Sequence, residues 1–478
     1  MNPKPGMHSA SSKTGKRDMA SRTHKGNRDQ NQKEIFIKKL QACMQIYDYT
    51  DEKKDVKGKN ERLNAINGLQ QMLQTQKNVT QLLLPNLDSV ISMIEKNIFR
   101  PLPNIKKGGG LAFSETGIEQ EEEVDPSWPY LQGIYEFFVQ LILNEACDAK
   151  AIKMYITPQF IHKFLELFDS EEPNEREYLK TILHKIYAKV VPRRKMIRKA
   201  FSDTFYDLIH EKHKFNGTAE ILDILAAIIS GFAVPLRDEH VHFFKNIIIP
   251  LHKVQTCSMF YEQLLRCSML FLSKDRTLAV PLLNGLLRYW PFANSVKETL
   301  FLTALQEVLE VCEIEKIEHL IPTLFKRIIR CIAGDHLQVA DRAMCLFEND
   351  HFLSILKTYR EVAFPVLVPT INDLAENHWH KILQESLIAL RTILKEIDPY
   401  FFDEALKKAK ENPKIGQIYQ DPDRRGMLDS KWQMLNKKLK NSNPNFKEPA
   451  VPFKSSVMVG EFNELYHRIY DKEKYINC

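Results

Sequence analysis

From residue 128 onward, apolar side chains recur at three- and four-residue intervals with polar residues between them, and the alternation expected of half-buried strands is hard to find. The pattern predicts an all-α chain. The apolar runs Tyr178–Tyr187, Ile221–Ile229 and Leu264–Leu272 superpose at steps of about 43 residues, and further helices near Glu298, Gln338 and Lys381 continue at about 37–43. Short proline-containing helix starts recur beside them, at Val234-Pro235, Ile249-Pro250, Val280-Pro281, Ile321-Pro322 and Val368-Pro369. Paired helices at this period match HEAT-like repeats, a solenoid whose units bury their apolar faces only by stacking on neighbours.

Ahead of the array, Glu34–Tyr49 has helical spacing, and the charged stretch Asp51–Glu61 interrupts it. Asn64–Phe99 resumes the period, with Leu69, Met72, Leu73, Leu82, Leu83, Leu84, Val90, Ile91 and Ile94 as candidate core positions. Gly108-Gly109-Gly110 and the acidic run Glu119–Asp125 predict a loop. The expected division is a disordered basic N-terminal arm (1–32), an N-terminal helical region (33–100), an acidic, glycine-rich loop (101–127), HEAT-like repeats (128–405), and an irregular C-terminal tail of linker and short helices (406–478). Within that tail Leu428–Leu439 and Glu461–Tyr475 are helix candidates.

Composition changes this picture little. Hydrophobic residues make up 44% of the 478 and charged residues 27%, an ordinary globular mixture. The formal charge of +6 belongs to the first 33 residues, which hold eight Lys/Arg and two Asp/Glu, so the body is neutral and gives no warrant for binding nucleic acid. Eight cysteines (Cys43, Cys147, Cys257, Cys267, Cys312, Cys331, Cys345, Cys478) are scattered without a C-x-x-C spacing and are expected to be reduced core thiols. No apolar leader is present, and no run approaches the ~18 apolar residues of a membrane span. These features predict a soluble intracellular protein, in the cytoplasm, with the nucleus also open to it.

Enzyme motifs are missing where they would be conspicuous. The chain has no P-loop, nucleophile elbow or dinucleotide fingerprint, and His210-Glu211-Lys212-His213 lacks the i, i+4 pair of a zinc helix. His240/His242 and His378/His380 are two apart, which on a helix aims the rings in different directions. No catalytic residue, metal or cofactor is expected. The candidate chemistry lies instead between Phe164 and His240, where the apolar runs Tyr178–Val190 and Ala219–Ile229 each follow a polar turn, Ser170–Pro173 and Asn216-Gly217. Cations and imidazoles crowd the end of the first run (His184, Lys185, Lys189, Arg193, Arg194) and the loop after the second (Arg237, His240), while Ile224 and Ile228 share one face. An apolar strip with a basic rim suits a peptide that is partly apolar and partly acidic. The plainer alternatives are a core-edge pair for His184 and Tyr187, three apart on one face, and a solvated capping loop for Asp169–Pro173.

These residues also carry a resemblance. LELFDSEEPNEREYLKTILHKIY, NGTAEILDILAAIISGFAVPLRDEH and IIIPLHKV, with YWP and WPYLQGIYEFF farther out, resemble the regulatory B-prime subunits of protein phosphatase 2A, in one order from about Thr80 to about Asp403. The resemblance implies a non-catalytic, substrate-recruiting subunit of a heterotrimer, with a helical-repeat scaffold subunit and a metal-dependent catalytic subunit as partners. It also implies a groove for L-x-x-I-x-E segments of acidic, motif-bearing proteins, with His184, Lys185, Tyr187, Arg194, Ile224, Ile228, Arg237 and His240 at the matching positions. Arg194 and His240 would meet the partner's carboxylate, and Glu171 and Glu172 would face the catalytic subunit. Arg237 in place of a usual Lys keeps the charge, but two further positions depart from the family's pattern in ways that matter. Lys185 stands where Arg is usual, without the planar fork that grips two oxygens, and Pro192 replaces a usual glycine and should end the helix before it. A generic helical-repeat scaffold or transport adaptor is the alternative, since it would share the repeats but need not keep the groove.

Overall fold

The computed structural model describes residues 30–49, 51, 53–75, 79–102, 126–145, 147–210, 215–378, 380–411 and 434–440, and among these every regular element is helical. The N-terminal region holds α1 (30–43), α2 (Val56–Thr75) and α3 (Val79–Ile98). Phe36, Leu40 and Cys43 place a buried stripe on α1, which ends at residue 43 and not at Tyr49. The Cys43 carbonyl there accepts a 3.1 Å hydrogen bond from the buried Asn97 side chain on α3, a cap that local periodicity does not contain. The charged interruption is shorter than the sequence predicts: Asp55, at φ 54, turns the chain and α2 starts at once. Of the candidate core residues, Leu84 is exposed, because successive helical residues step by about 100° and a triplet such as Leu82–Leu84 cannot all face inward.

The array comprises α4 (Trp128–Leu143), α5 (Ala149–Lys153), α6 (Pro158–Glu166), α7 (Pro173–Lys189), α8 (Arg194–Ile209), α9 (Thr218–Ser230), α10 (Asp238–Phe243) and α11 (Ile249–Leu251). It continues through α12 (Tyr261–Lys274), α13 (Ala279–Arg288), α14 (Ser295–Val311), α15 (Ile321–Ile332), α16 (Leu337–Met344), α17 (Asp350–Thr358), α18 (Arg360–Asn377) and α19 (Lys381–Ile397). The helices form two rows. One runs α2, α4, α7, α9, α12, α14, α16, α19, each packed on the next, and the other runs α6, α8, α11, α13, α15, α18. This is the helical-repeat solenoid that the period of about 43 residues predicts, and the helices legible at that step, α7, α9, α12, α14, α16 and α19, all belong to the first row. Prolines open α11, α13 and α15 of the second row. Two of the five predicted starts fall elsewhere: Val234-Pro235 is a cis bond in the loop after α9, and Pro369 lies inside α18 with Pro365. Just ahead of Pro250, whose missing N–H breaks the α ladder, Phe244–Ile248 winds as a π-helix.

Polar side chains tie each repeat to its neighbour. Lys274 reaches back to the Ser230 carbonyl at the end of α9 (2.9 Å), Lys297 to the Val254 carbonyl (2.8 Å), Arg342 to Gln306 (2.8 Å) and Tyr359 to the Ile314 carbonyl (2.8 Å). Several of these acceptors lie at helix or turn ends, where carbonyls lack an intrahelical partner. Trp128 and Trp290 are buried at repeat junctions, Trp290 donating its indole N–H to Glu298 at 2.6 Å. Six of the seven described cysteines are buried and all seven are free thiols; Cys478 lies outside the described residues. Burial pushes the Cys43 thiol up to about 11 and Cys257 to about 12, which keeps them neutral and unreactive. No described helix is long and apolar enough to cross a membrane.

The unit containing the array ends at Phe402, and the second unit starts at Asp403. The second unit's described residues are the end of α20 (Pro399–Glu411) and a helical stretch at 434–440, inside the helix candidate Leu428–Leu439 but for its last residue. Residues 1–29, most of the 101–127 loop and Glu461–Tyr475 lie outside the described residues.

Within the array the most demanding side chain is Glu175, which has no exposed surface. Its carboxylate accepts from Arg100 (2.7 and 3.2 Å), Tyr135 (2.6 Å) and Ser170 (2.5 Å). Removing one partner of such a pair leaves the other charge buried and uncompensated. Glu175→Ala is therefore expected to lower unfolding stability by about 3–5 kcal/mol, read from the urea midpoint. Glu177→Ala, at an exposed ion pair two residues on, should change it by no more than about 0.5 kcal/mol. Equal midpoints for the two variants would count against a structural role for the cluster.

Candidate peptide-binding groove

The turn before α7 is fixed from both sides. Arg176 donates to the Ser170 and Glu171 carbonyls (2.7 and 3.2 Å), and Glu172 caps α7 by accepting from the backbone N–H of Asn174 (3.2 Å) and from its side chain (2.8 Å). From the next repeat, Asn216 donates its backbone N–H to the Asp169 carboxylate (2.8 Å) and its amide to the Asp169 carbonyl (2.9 Å). Gly217 follows because a Cβ there would stand 2.5 Å from the Phe168 carbonyl oxygen. The two acidic residues singled out from sequence thus differ: Glu172 is a helix cap, whereas Glu171 Oε2 is shielded and has no hydrogen-bond partner among the described residues.

The register between α7 and α9 is set by Arg176 on Glu220 (2.7 Å) and Lys180 on Asp223 (3.3 Å), offsets of 44 and 43 residues. Carried one turn further, that offset sets His184 across from Ala227 and Ile228. His184 and Lys185 are exposed. Ile224 and Ile228 are 2% and 6% exposed, so a partner could reach them only at their edges, and Tyr187 is nearly as buried at 9%.

Helix α7 stops at Lys189, and Pro192 sits in the 3-10 turn Val191–Arg193 that leads into α8, as the proline predicts. Arg194, the first residue of α8, folds back to cap α7: it donates to the Tyr187 carbonyl (2.9 Å) and the Ala188 carbonyl (3.1 Å), with its guanidinium 5.2 Å from the Tyr187 ring centroid. Two neighbouring cations serve the previous repeat instead, Lys189 on the Ile142 and Asn144 carbonyls and Arg193 on the Lys153 carbonyl. Sequence alone could not separate these three roles.

One turn along α8, Arg198 donates to the Tyr187 hydroxyl at 3.1 Å and stands 3.6 Å from Glu239 Oε1. His240 and Arg237 approach the same oxygen at 3.4 and 3.9 Å. The His240 ring stacks on Phe232, centroids 3.8 Å apart and planes within 1°. Burial holds its pKa below the ordinary histidine value; Glu239 opposes that shift and Arg198 and Arg237 reinforce it, so the ring is neutral at pH 7. The structure therefore gathers Tyr187, Arg194, Arg237 and His240 around two residues the sequence reading missed, Arg198 and Glu239. The available signals were the i, i+4 spacing of Arg194 and Arg198 and the adjacency of Glu239 to His240. A surface cleft lined by His162, Glu166, Asp203 and Asp207 among others lies between α6 and α8 and includes none of these groove residues. No group of residues able to hold a metal ion occurs among the described residues.

The family model described as protein phosphatase 2A regulatory B subunit (B56 family) matches residues 22–439. The B′ eta isoform of the 59 kDa regulatory subunit of serine/threonine protein phosphatase 2A from Arabidopsis thaliana is 38% identical over 379 residues, which is 79% of this chain and 74% of that protein. The beta isoform of the 56 kDa regulatory subunit from Homo sapiens is 37% identical over 372 residues, 78% of this chain and 73% of its own. A solved engineered protein covers 80% of this chain and 99% of its own at 12% identity and a TM-score of 0.30, too slight a likeness to carry an argument.

The double carbonyl contact makes Arg194 a cap as well as a rim cation. Arg194→Ala is expected to lower stability by about 1 kcal/mol, and Arg194→Lys to recover only part of it, because an ammonium does not span two carbonyls as a fork does. Denaturant midpoints of the two variants check this; no loss in the alanine variant would remove Arg194 from the cap.

Proposed function

The chain belongs to the B56 family of protein phosphatase 2A regulatory B subunits, which are regulatory and not themselves catalytic, and on that premise we propose that it recruits substrates by binding L-x-x-I-x-E segments across α7, α8 and α9. The observation that carries this reading is the convergence of Arg198, Arg237 and His240 on a single carboxylate oxygen beside the Tyr187 hydroxyl. A position already arranged for one carboxylate suits another.

The partner's Leu and Ile would lie against Tyr187 and the edges of Ile224 and Ile228, each buried side chain contributing about 1.5–3 kcal/mol. The motif's Glu would meet the basic groups around Arg198 and His240, with Arg237 and the exposed His184 and Lys185 along the rim. A micromolar Kd corresponds to about −8 kcal/mol, within reach of such a segment after its ordering costs. In this arrangement Arg194 acts mainly by holding Tyr187 and the end of α7.

The same premise gives the assembly: a heterotrimer with a scaffold subunit and a catalytic subunit, the reaction and its metals belonging to the latter. Glu171 is the better candidate for meeting the catalytic subunit, since its Oε2 has no hydrogen-bond partner among the described residues, whereas Glu172 is occupied as a cap. Family membership counts against the alternative of a transport adaptor.

A fluorescent L-x-x-I-x-E peptide titrated against the full-length protein tests the groove. Ile228→Asp should abolish binding at any salt concentration, because a charge placed there has no partner. Arg237→Ala, at a side chain 78% exposed, should weaken binding by less than about fivefold, an effect that fades in high salt. Unchanged affinity of the Ile228→Asp protein, shown folded by its thermal transition, would sink the groove.

Assembly is checked by co-purification. Glu171→Lys should reduce recovery of the catalytic subunit without shifting the unfolding midpoint, whereas Glu172→Lys should lower unfolding stability by about 1 kcal/mol through the lost cap. Full recovery of the catalytic subunit with Glu171→Lys would leave the turn as a solvated loop.

A further inference from the structure

Glu239 supplies the carboxylate on which the basic rim converges, so the free protein fills its own acid-binding position. The two sides of that contact are not equally fixed. Arg198 is 27% exposed and tied to the Tyr187 hydroxyl, and His240 is 12% exposed and clamped face to face on Phe232. Glu239 is 48% exposed: its approaches to Arg198 and Arg237, at 3.6 and 3.9 Å, are loose ion pairs, and its approach to the neutral His240 ring, at 3.4 Å, is a polar contact, none of them a close, aligned hydrogen bond. Arg198 and the neutral His240 ring are held by the fold and the carboxylate is not. An ion pair of this exposure is weak, and a second carboxylate delivered to the same place can replace it.

We propose that Glu239 is a specificity-determining residue of the groove, an internal carboxylate that holds the acid-binding position until a partner's carboxylate displaces it. This rests on the peptide-groove reading. A free acid gains little, because it must compete with a carboxylate attached to the site. A carboxylate tethered to apolar side chains already seated on Tyr187 and Ile228 competes at high effective concentration and wins. The ligand class is thereby narrowed to segments that present apolar anchors and an acid together, and acidic peptides without the anchors are rejected.

The test uses the full-length protein and two fluorescent peptides that differ only in Glu or Gln at the acidic motif position. Glu239→Gln should tighten the Glu peptide by about two- to fivefold and leave the Gln peptide unchanged, so that discrimination between them widens. Adding Arg198→Gln should erase that widening, since the contested cation is gone. If Glu239→Gln shifts both peptides equally, or weakens the Glu peptide, Glu239 merely braces the rim and the proposal is overturned alone. If the unchanged protein binds neither peptide, the groove reading falls and takes this proposal with it.

Discussion

A carboxylate cut off from water lies at the root of the groove. An ionised Glu in the interior is tolerable only when its oxygens are fully engaged, because burying the charge alone would be far more costly than any one contact returns. Glu175 meets that condition by drawing Arg100 from beyond α3, Tyr135 from α4 and Ser170 from the acidic turn onto the first turn of α7. Its position near the start of a helix adds the favourable end of the macrodipole. Four pieces of chain must therefore meet at one point. The residues that would face a partner, His184, Lys185 and Tyr187, sit at the opposite end of the same helix, so fixing its start also fixes where they stand.

From that point the register spreads repeat by repeat. Arg176, one residue after Glu175, both closes the acidic turn and pairs with Glu220 on α9, and Lys180 repeats the link one turn later with Asp223. Such pairs add little net stability to a stack already driven by apolar burial, but a slip between the helices would strand a buried charge. Apolar surfaces can slide over one another; the Glu220 pair cannot. Holding α7 and α9 in one register is what lets two separate apolar runs act as a single strip.

Much of this was legible in the chain. The helices of the first row repeat their apolar positions at a steady step because each packs on a neighbour of the same row, which imposes the same stripe on each. The second row was harder to read: Pro250 and the π-helical turn before it, and the prolines inside α18, disturb its spacing. The end of α1 was misjudged because Asn97, 54 residues away, supplies its cap. At the groove, residue types pointed to Arg194 and His240 and the family resemblance added Tyr187, but type does not reveal which cation answers a backbone carbonyl and which faces outward. Lys189, Arg193 and Arg194 look equivalent in sequence and are directed to three different places by the turn between them. Arg198 and Glu239 escaped because their meeting joins two elements about 40 residues apart, a distance the repeat period suggests only in outline.

That turn also explains how the chain accommodates Pro192. Pro192 cannot continue α7, and its fixed φ suits the tight 3-10 turn that Val191–Arg193 adopts. The turn delivers Arg194 at the first position of α8, close enough to reach back to the last carbonyls of α7, so the guanidinium read from sequence as the grip on a partner's acid is largely engaged at home. Arg198, one turn farther along α8, lies against the Tyr187 hydroxyl and the Glu239 carboxylate, and on the proposed reading it takes the outward role. On the proposed reading, the acid-binding end of the groove is thus displaced by about 5.4 Å, one helical pitch, from where the family resemblance assigns it. A stiff turn in place of a permissive one need not abolish the groove: it passes the work from one arginine to the next.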